Sequence, residues 1–140
     1  MRFMILVKAN PASESGQMPS EQELMEIGKF NEELVKAGVL LAGEGLYPSS
    51  QGARVRFDGG ERTVVDGPFS ETKELLAGFW LVQVKSRDEV IEWVKRIPFR
   101  EGEVEIRRVF ETEDFAESDP SGELRAAEQR LREQVAGAQA

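Results

Sequence analysis

The stretch Phe79-Trp80-Leu81-Val82-Gln83-Val84, with Ser86-Arg87-Asp88-Glu89 behind it and Ile97-Pro98 at its end, decides the fold. Its first six residues are a continuous run of strand formers, the pattern of a central strand covered on both faces. Ser86 and Glu89 have capping-box spacing, in which the hydroxyl and the carboxylate each accept an orphan backbone N–H. Val90, Ile91, Val94 and Ile97 then recur at helical spacing until Pro98 stops the helix. A strand therefore runs straight into an amphipathic helix. The same unit opens the chain. Phe3 to Val7 reads as a short strand, and Ser20 with Glu23 is a second capping box. Leu24, Ile27, Phe30, Asn31, Leu34 and Val35 follow as a helical stripe, with Gly38 at the position that takes positive φ.

Between these units, Val39 to Leu46 reads as a strand weakened at its end by Gly43 and Gly45. Tyr47 to Gly52 is a loop. Val55 and Phe57 alternate with Arg54, Arg56 and Asp58, Gly59-Gly60 turns the chain, and Arg62 to Val65 returns as the second arm of a hairpin. Ser70 to Leu76 forms a short helix or an ordered loop, and Glu103 to Phe110 is the last strand. With the hairpin set aside, the order is β-α-β-β-α-β, an α+β, ferredoxin-like antiparallel sheet with two helices on one face. The opposite face has no helix of this unit, so a face-to-face homodimer, a dimeric α/β barrel, is expected. The Ser-, Pro- and Gly-containing segment Ala9 to Pro19 reads as a mobile loop. At the far end, Leu124, Ala127, Leu131 and Val135 mark a thin apolar stripe on an extra C-terminal helix. The expected division is a domain over residues 1–110 and an acidic extension over 111–140.

Composition narrows the chemistry. The 140 residues include no cysteine and no histidine, which excludes thiol nucleophiles, cysteine- or histidine-ligated metals and a Ser-His-Asp triad. No cofactor motif is present, and no metal site is expected; Gly59-Gly60 lacks the helix start and Lys-Ser/Thr of a phosphate loop. The net charge is −8, of which −5 falls between Glu111 and Ala140. Nucleic acid and anionic membrane surfaces are poor partners for such a chain. No apolar run reaches the roughly 20 residues of a membrane span. The opening apolar run is too short for a signal peptide and has no small-residue cleavage site, so a cytoplasmic location is expected.

The nine residues Asp66-Gly67-Pro68-Phe69-Ser70-Glu71-Thr72-Lys73-Glu74, followed by Leu76-Ala77-Gly78-Phe79-Trp80, resemble the signature of the DGPF-domain branch of YCII-related proteins. Gly43-Glu44-Gly45-Leu46-Tyr47-Pro48 is similar to that branch's Gly-Glu-x-Leu-x-Pro. Val104 to Arg108 resembles its final strand, with Arg108 where the branch often has proline. The resemblance covers about Met1 to Phe110. It implies a ferredoxin-like fold, dimeric α/β barrel assembly and a cleft with an acid–base or ligand-binding role. The wider group resembles muconolactone isomerase, and its suspected active site includes a His–Asp pair. This chain has no histidine, which leaves Asp66 as the one candidate from that pair. Some members lie beside, or are fused to, extracytoplasmic-function sigma factors, which implies a regulatory link.

The candidate residues each carry two readings. Asp66 is either an Asx-turn carboxylate, bonded to the backbone N–H two residues on, or a cleft base or ligand acceptor. Glu71, Lys73 and Glu74 are solvated charge, or Lys73 anchors an anion opposite Asp66 or Glu44. Glu44, between two glycines, is a structural partner of Lys73 or Arg2, or a site residue. Phe69, Phe79, Trp80 and Trp93 read as core or dimer interface. Arg54, Arg56 and Arg62 pair across the hairpin with Asp58 and Glu61, or form an anion-binding rim. Three functional readings follow. The first is a small anionic or carbonyl metabolite bound near Asp66, with cofactor-free proton transfer by Asp66 or Glu44, charge stabilisation by Lys73 or Arg2, and Phe69 and Glu71 lining the site. The second is a non-catalytic sensing or interaction module for a transcription factor. The third is a remnant whose ancestral site has decayed.

Overall fold

A computed structural model of the chain describes residues 1–139. The chain divides into two units, Met1–Arg108 and a second that begins at Val109. In the first unit, β1 (Arg2–Lys8), β2 (Leu40–Gly45), β5 (Leu76–Gln83) and β6 (Val104–Arg108) form an antiparallel sheet of order β2-β5-β1-β6. Helices α2 (Glu21–Lys36) and α3 (Arg87–Lys95) supply the two crossings, which makes the unit ferredoxin-like. The inserted hairpin, β3 (Ala53–Asp58) and β4 (Glu61–Asp66), is a separate two-stranded sheet. Its turn has positive φ at Gly59 alone of its two glycines, which matches the II′ form of tight hairpin.

The strand period sorts residues between the faces of the sheet. Phe3, Ile5, Trp80 and Val82 are buried on one face, where Phe30 and Leu34 of α2 and Val90 of α3 meet them. The ring of Phe30 lies edge-on to Trp80 and Trp93, at centroid distances of 5.5 and 6.5 Å. The indole N–H of Trp80 donates to Asn31 Oδ1 at 2.8 Å, so the buried ring leaves no polar atom unpaired. The opposite face carries Met4, Leu6, Phe79 and Leu81 at half-buried positions. Arg2, Lys8, Glu105 and Arg107 also lie on that face.

Both serine caps form, with a variation. Ser20 and Ser86 accept the N–H groups of Glu23 and Glu89. The Glu23 carboxylate meets the Ser20 hydroxyl rather than a backbone donor, and the Glu89 carboxylate takes the N–H of Lys85, one residue before the cap. The segment expected as a mobile loop holds a short helix, α1 (Pro11–Glu14). Asn10 and Ser13 cap it reciprocally, and Pro11 stands at its start, where its missing N–H costs nothing.

In the second unit, a 3₁₀ turn at Thr112–Phe115 precedes α4 (Glu123–Gln139). The Asp119 carboxylate accepts the N–H groups of Leu124 and Arg125 and pairs with the Arg125 guanidinium at 3.2 Å. The rings of Phe110 and Phe115 lie 5.1 Å apart, tilted by 40°. Leu124, Leu131 and Val135 of the expected stripe are exposed. Among the described residues, no helix is long and apolar enough to cross a membrane.

Candidate functional site

Strand β4 ends at Asp66, and the next three residues form a turn pinned from two sides. The Gly67 N–H donates to the Gly52 carbonyl at 2.9 Å. A Cβ on Gly67 would fall 1.7 Å from the Ser49 carbonyl oxygen, so only glycine fits. The Phe69 N–H donates to Ser49 Oγ at 3.0 Å. Ser49 in turn donates through Oγ to Glu14 Oε2 at 2.5 Å and through its backbone N–H to Glu14 Oε1 at 3.0 Å. One half-buried hydroxyl thus joins the end of α1, the 3₁₀ turn at Ser49–Gln51 and the Asp66–Phe69 turn. The bonds to Glu14 are charge-assisted, the stronger class of hydrogen bond.

Phe69 lies beneath Arg54, whose guanidinium carbon is 3.8 Å from the ring centroid. Arg54 also meets Glu71 at 3.6 Å. The Glu71 carboxyl is held below its ordinary pKa, first by its own backbone N–H and then by the Arg54 charge. Cation–ring contact and ion pairing hold Arg54 on its own chain. Among the described residues, no ion pair joins the hairpin arginines to Asp58 or Glu61, the cross-strand pairs expected for them. Arg62 instead lies 4.6 Å over the ring of its cross-strand neighbour Phe57 and donates to the carbonyls of Gly59 and Glu61.

The expected site residues occupy two places. Asp66, Phe69, Glu71 and Lys73 belong to the turn and to the 3₁₀ segment Thr72–Glu74 that leads into β5. Phe69 and Glu71 meet through Arg54, but no contact among the described residues joins Asp66 to Lys73. Both are exposed. The Asx-turn reading of Asp66 fails for a simple reason: the residue two on is Pro68, which has no N–H to donate. The carboxylate has no side-chain partner among the described residues.

Arg2 and Glu44 lie instead on the sheet, on the face away from the helices, Glu44 being opposite Phe79. Glu44 is exposed, and among the described residues no ion pair joins it to Lys73. Of its two neighbouring glycines, Gly43 has a packing reason, while a Cβ on Gly45 would meet nothing within 4 Å. A Cβ on Gly43 would come 2.8 Å from the Trp80 ring, and one on Gly78 would come 2.8 Å from the Glu44 carbonyl oxygen.

Two clusters were not anticipated. The Glu14–Ser49 clamp was concealed because Pro48-Ser49-Ser50 looks like ordinary turn sequence. Asn10-Pro11 with Ser13 was nonetheless a legible helix start. The other cluster lies on the face away from the helices, where Lys8 meets Glu105 at 3.3 Å and Arg107 meets it at 3.2 Å. Arg107 and then Lys8 hold the Glu105 carboxyl below its ordinary pKa. Among the described residues, no group of three or more acidic side chains is placed to hold a metal ion. A shallow hollow of about 290 Å³ between α3 and β6 is lined by Val94, Ile97, Phe99 and Arg100 and shares no residue with the turn.

A ferredoxin-like sheet with a hairpin inserted before its third strand, and a glycine-proline turn leading into that strand, define a class of small α+β proteins. The family model of the YCII-related domain matches residues 1–113, so the chain belongs to the YCII-related family. It is also similar to an uncharacterised protein of Rhizobium meliloti (strain 1021), with 36% identity over 75 residues, which is 54% of this chain. The match spans 60% of that relative's length.

Proposed function

We propose that the protein binds a small anionic or carbonyl-containing metabolite at the Asp66–Phe69 turn, within a homodimer formed through the sheet face away from the helices. One observation carries the binding reading: the turn is rigidly anchored by Ser49, Gly52 and Glu14, yet its Asp66 carboxylate takes no part in the anchoring. A fixed, unpartnered carboxylate is ready to accept hydrogen bonds from a hydroxyl, enol or amine. Lys73, in the 3₁₀ segment Thr72–Glu74, supplies a positive charge for an anionic group. Proton transfer is the chemistry this pair offers. Asp66 would take a proton from carbon beside a carbonyl, and Lys73 would stabilise the enolate charge.

The test is a thermal-shift and NMR screen with keto acids and hydroxy acids. Hits should move the backbone amide signals of Gly67 and Phe69, and Asp66→Asn should abolish the shifts. If Asp66→Asn leaves binding and any turnover intact, the site is misplaced. A second reading draws on α4, whose Leu124, Leu131 and Val135 are exposed. Such a stripe suits docking to a partner protein, and a transcription initiation factor is the partner the sequence resemblance suggests. Truncation after Phe110 should then abolish capture of that factor; unchanged capture would remove the reading.

A further inference from the structure

The hairpin is amphipathic, and its apolar side is turned the wrong way for a single chain. Strand alternation and register put Ala53, Val55 and Phe57 on one side with Arg62, Val64 and Asp66. Arg54, Arg56, Asp58, Glu61, Thr63 and Val65 share the other side. The side that turns towards its own chain is the charged one, through Arg54 on Phe69 and Glu71. The apolar side is left in solvent: Val55 is 48% exposed, Val64 64% and Phe57 72%, even with Arg62 over its ring. Contiguous exposed apolar surface of this kind marks an interaction site, and a lone two-stranded hairpin is at best marginally stable in water.

We infer that the apolar side of the hairpin is part of the dimer interface and clasps a second copy of this chain. The inference rests on the homodimer proposed above and adds a second contact to it. Area argues for it. Four strands about 4.8 Å apart, rising about 3.3 Å per residue, give a sheet face of roughly 400 Å². Two such faces bury about 800 Å² in total, the size of an adventitious contact, whereas stable interfaces begin near 1,200 Å². A two-stranded hairpin with six-residue strands presents roughly 200 Å²; two of them, each covering a like area of the partner, bring the total to about 1,600 Å², the standard size of a stable interface. The facing sheets already cover Met4, Leu6, Phe79 and Leu81, so the hairpin meets the partner outside that patch.

Sedimentation of the full chain over a concentration series tests this, using Phe57→Glu and Val64→Lys against Arg56→Glu, which lies on the hairpin's other side. All three positions are exposed, and circular dichroism confirms that each variant folds. Phe57→Glu and Val64→Lys should each weaken the dimer at least 100-fold, while Arg56→Glu leaves it unchanged. A dimer of wild-type strength in both apolar-side variants overturns the hairpin inference and leaves the sheet-face dimer standing. So does binding of the wild-type chain to lipid vesicles that Phe57→Glu abolishes without altering the dimer. A wild-type chain that stays monomeric throughout overturns the homodimer itself.

Discussion

The two units of the chain are held by different physics. The Met1–Arg108 unit stands on side chains removed from water: Ile5, Leu34, Val82 and Val90 are fully buried between the sheet and the two helices. The unit that follows has no comparable interior among its described residues. Its organising contact is a single carboxylate, Asp119, buried against the first turn of α4. Burial is spread over many residues and is non-directional. A capping carboxylate is local, directional and open to titration. Perturbations of the first unit should therefore scale with volume removed, and perturbations of the second with charge.

The largest effect is expected from Leu34→Ala, which removes fully buried methyl groups and leaves a cavity. The cost should be about 2–5 kcal/mol, read as a lower midpoint in urea unfolding. A cost under about 1 kcal/mol would show that this core is not what holds the unit together. Gly67→Ala comes next. Its Cβ meets the Ser49 carbonyl oxygen, a backbone atom, so the turn must move bodily. A loss of roughly 1–3 kcal/mol is expected, as for other overpacked sites, with the amide signals of Ser49 and Phe69 displaced together. Ser49→Ala should follow closely, at about 1–3 kcal/mol, because it strands both the Phe69 N–H and one Glu14 oxygen. If Gly67→Ala and Ser49→Ala perturb different sets of amides, the two loops are not one anchored unit.

The same contrast explains what was legible in the sequence. Burial imposes periodicity, so the stripe from Ile27 to Leu34 and the run from Phe79 to Val84 announced the helix, the central strand and hence the ferredoxin-like order. Capping at Ser20 and Ser86 was legible because its donors and acceptors lie within one turn of each other. Ser49 was not, because the groups it joins lie 35 residues before it and 20 residues after it, and no local pattern encodes a contact between loops. The Asp66 reading shows the converse fault. An Asx-turn looked natural from composition, although Pro68, visible in the same motif, has no N–H to complete it. Glu44 was singled out for its glycines, and the packing reason for Gly43 lies on β5, a strand apart, in the ring of Trp80. Sequence reasoning located the turn correctly and misjudged what its charges touch.

The smallest effects should come from single charges, and they sharpen the contrast most. Glu71→Gln removes one side of an exposed ion pair, which water and salt screen. Arg54 keeps its ring contact with Phe69, so no measurable change in the first unit's unfolding midpoint is expected. Asp119 is the more telling case. The N–H of Arg125 first, and then that of Leu124 and the Arg125 charge, hold its pKa below the ordinary 3.8. A carboxyl depressed in the folded state contributes its stabilisation fully above its unfolded pKa and loses it as pH falls through the folded value. The helical signal of α4 should therefore persist at neutral pH and decline only below about pH 4. Asp119→Asn should lower that signal at neutral pH and erase its acid-dependent step. The near-UV band of Trp80 and Trp93, which reports the first unit's core, should stay in place in the variant. If that band moves with the α4 signal as acid is added to the wild-type chain but not to Asp119→Asn, the same carboxylate also governs the first unit, and the division between burial and charge fails.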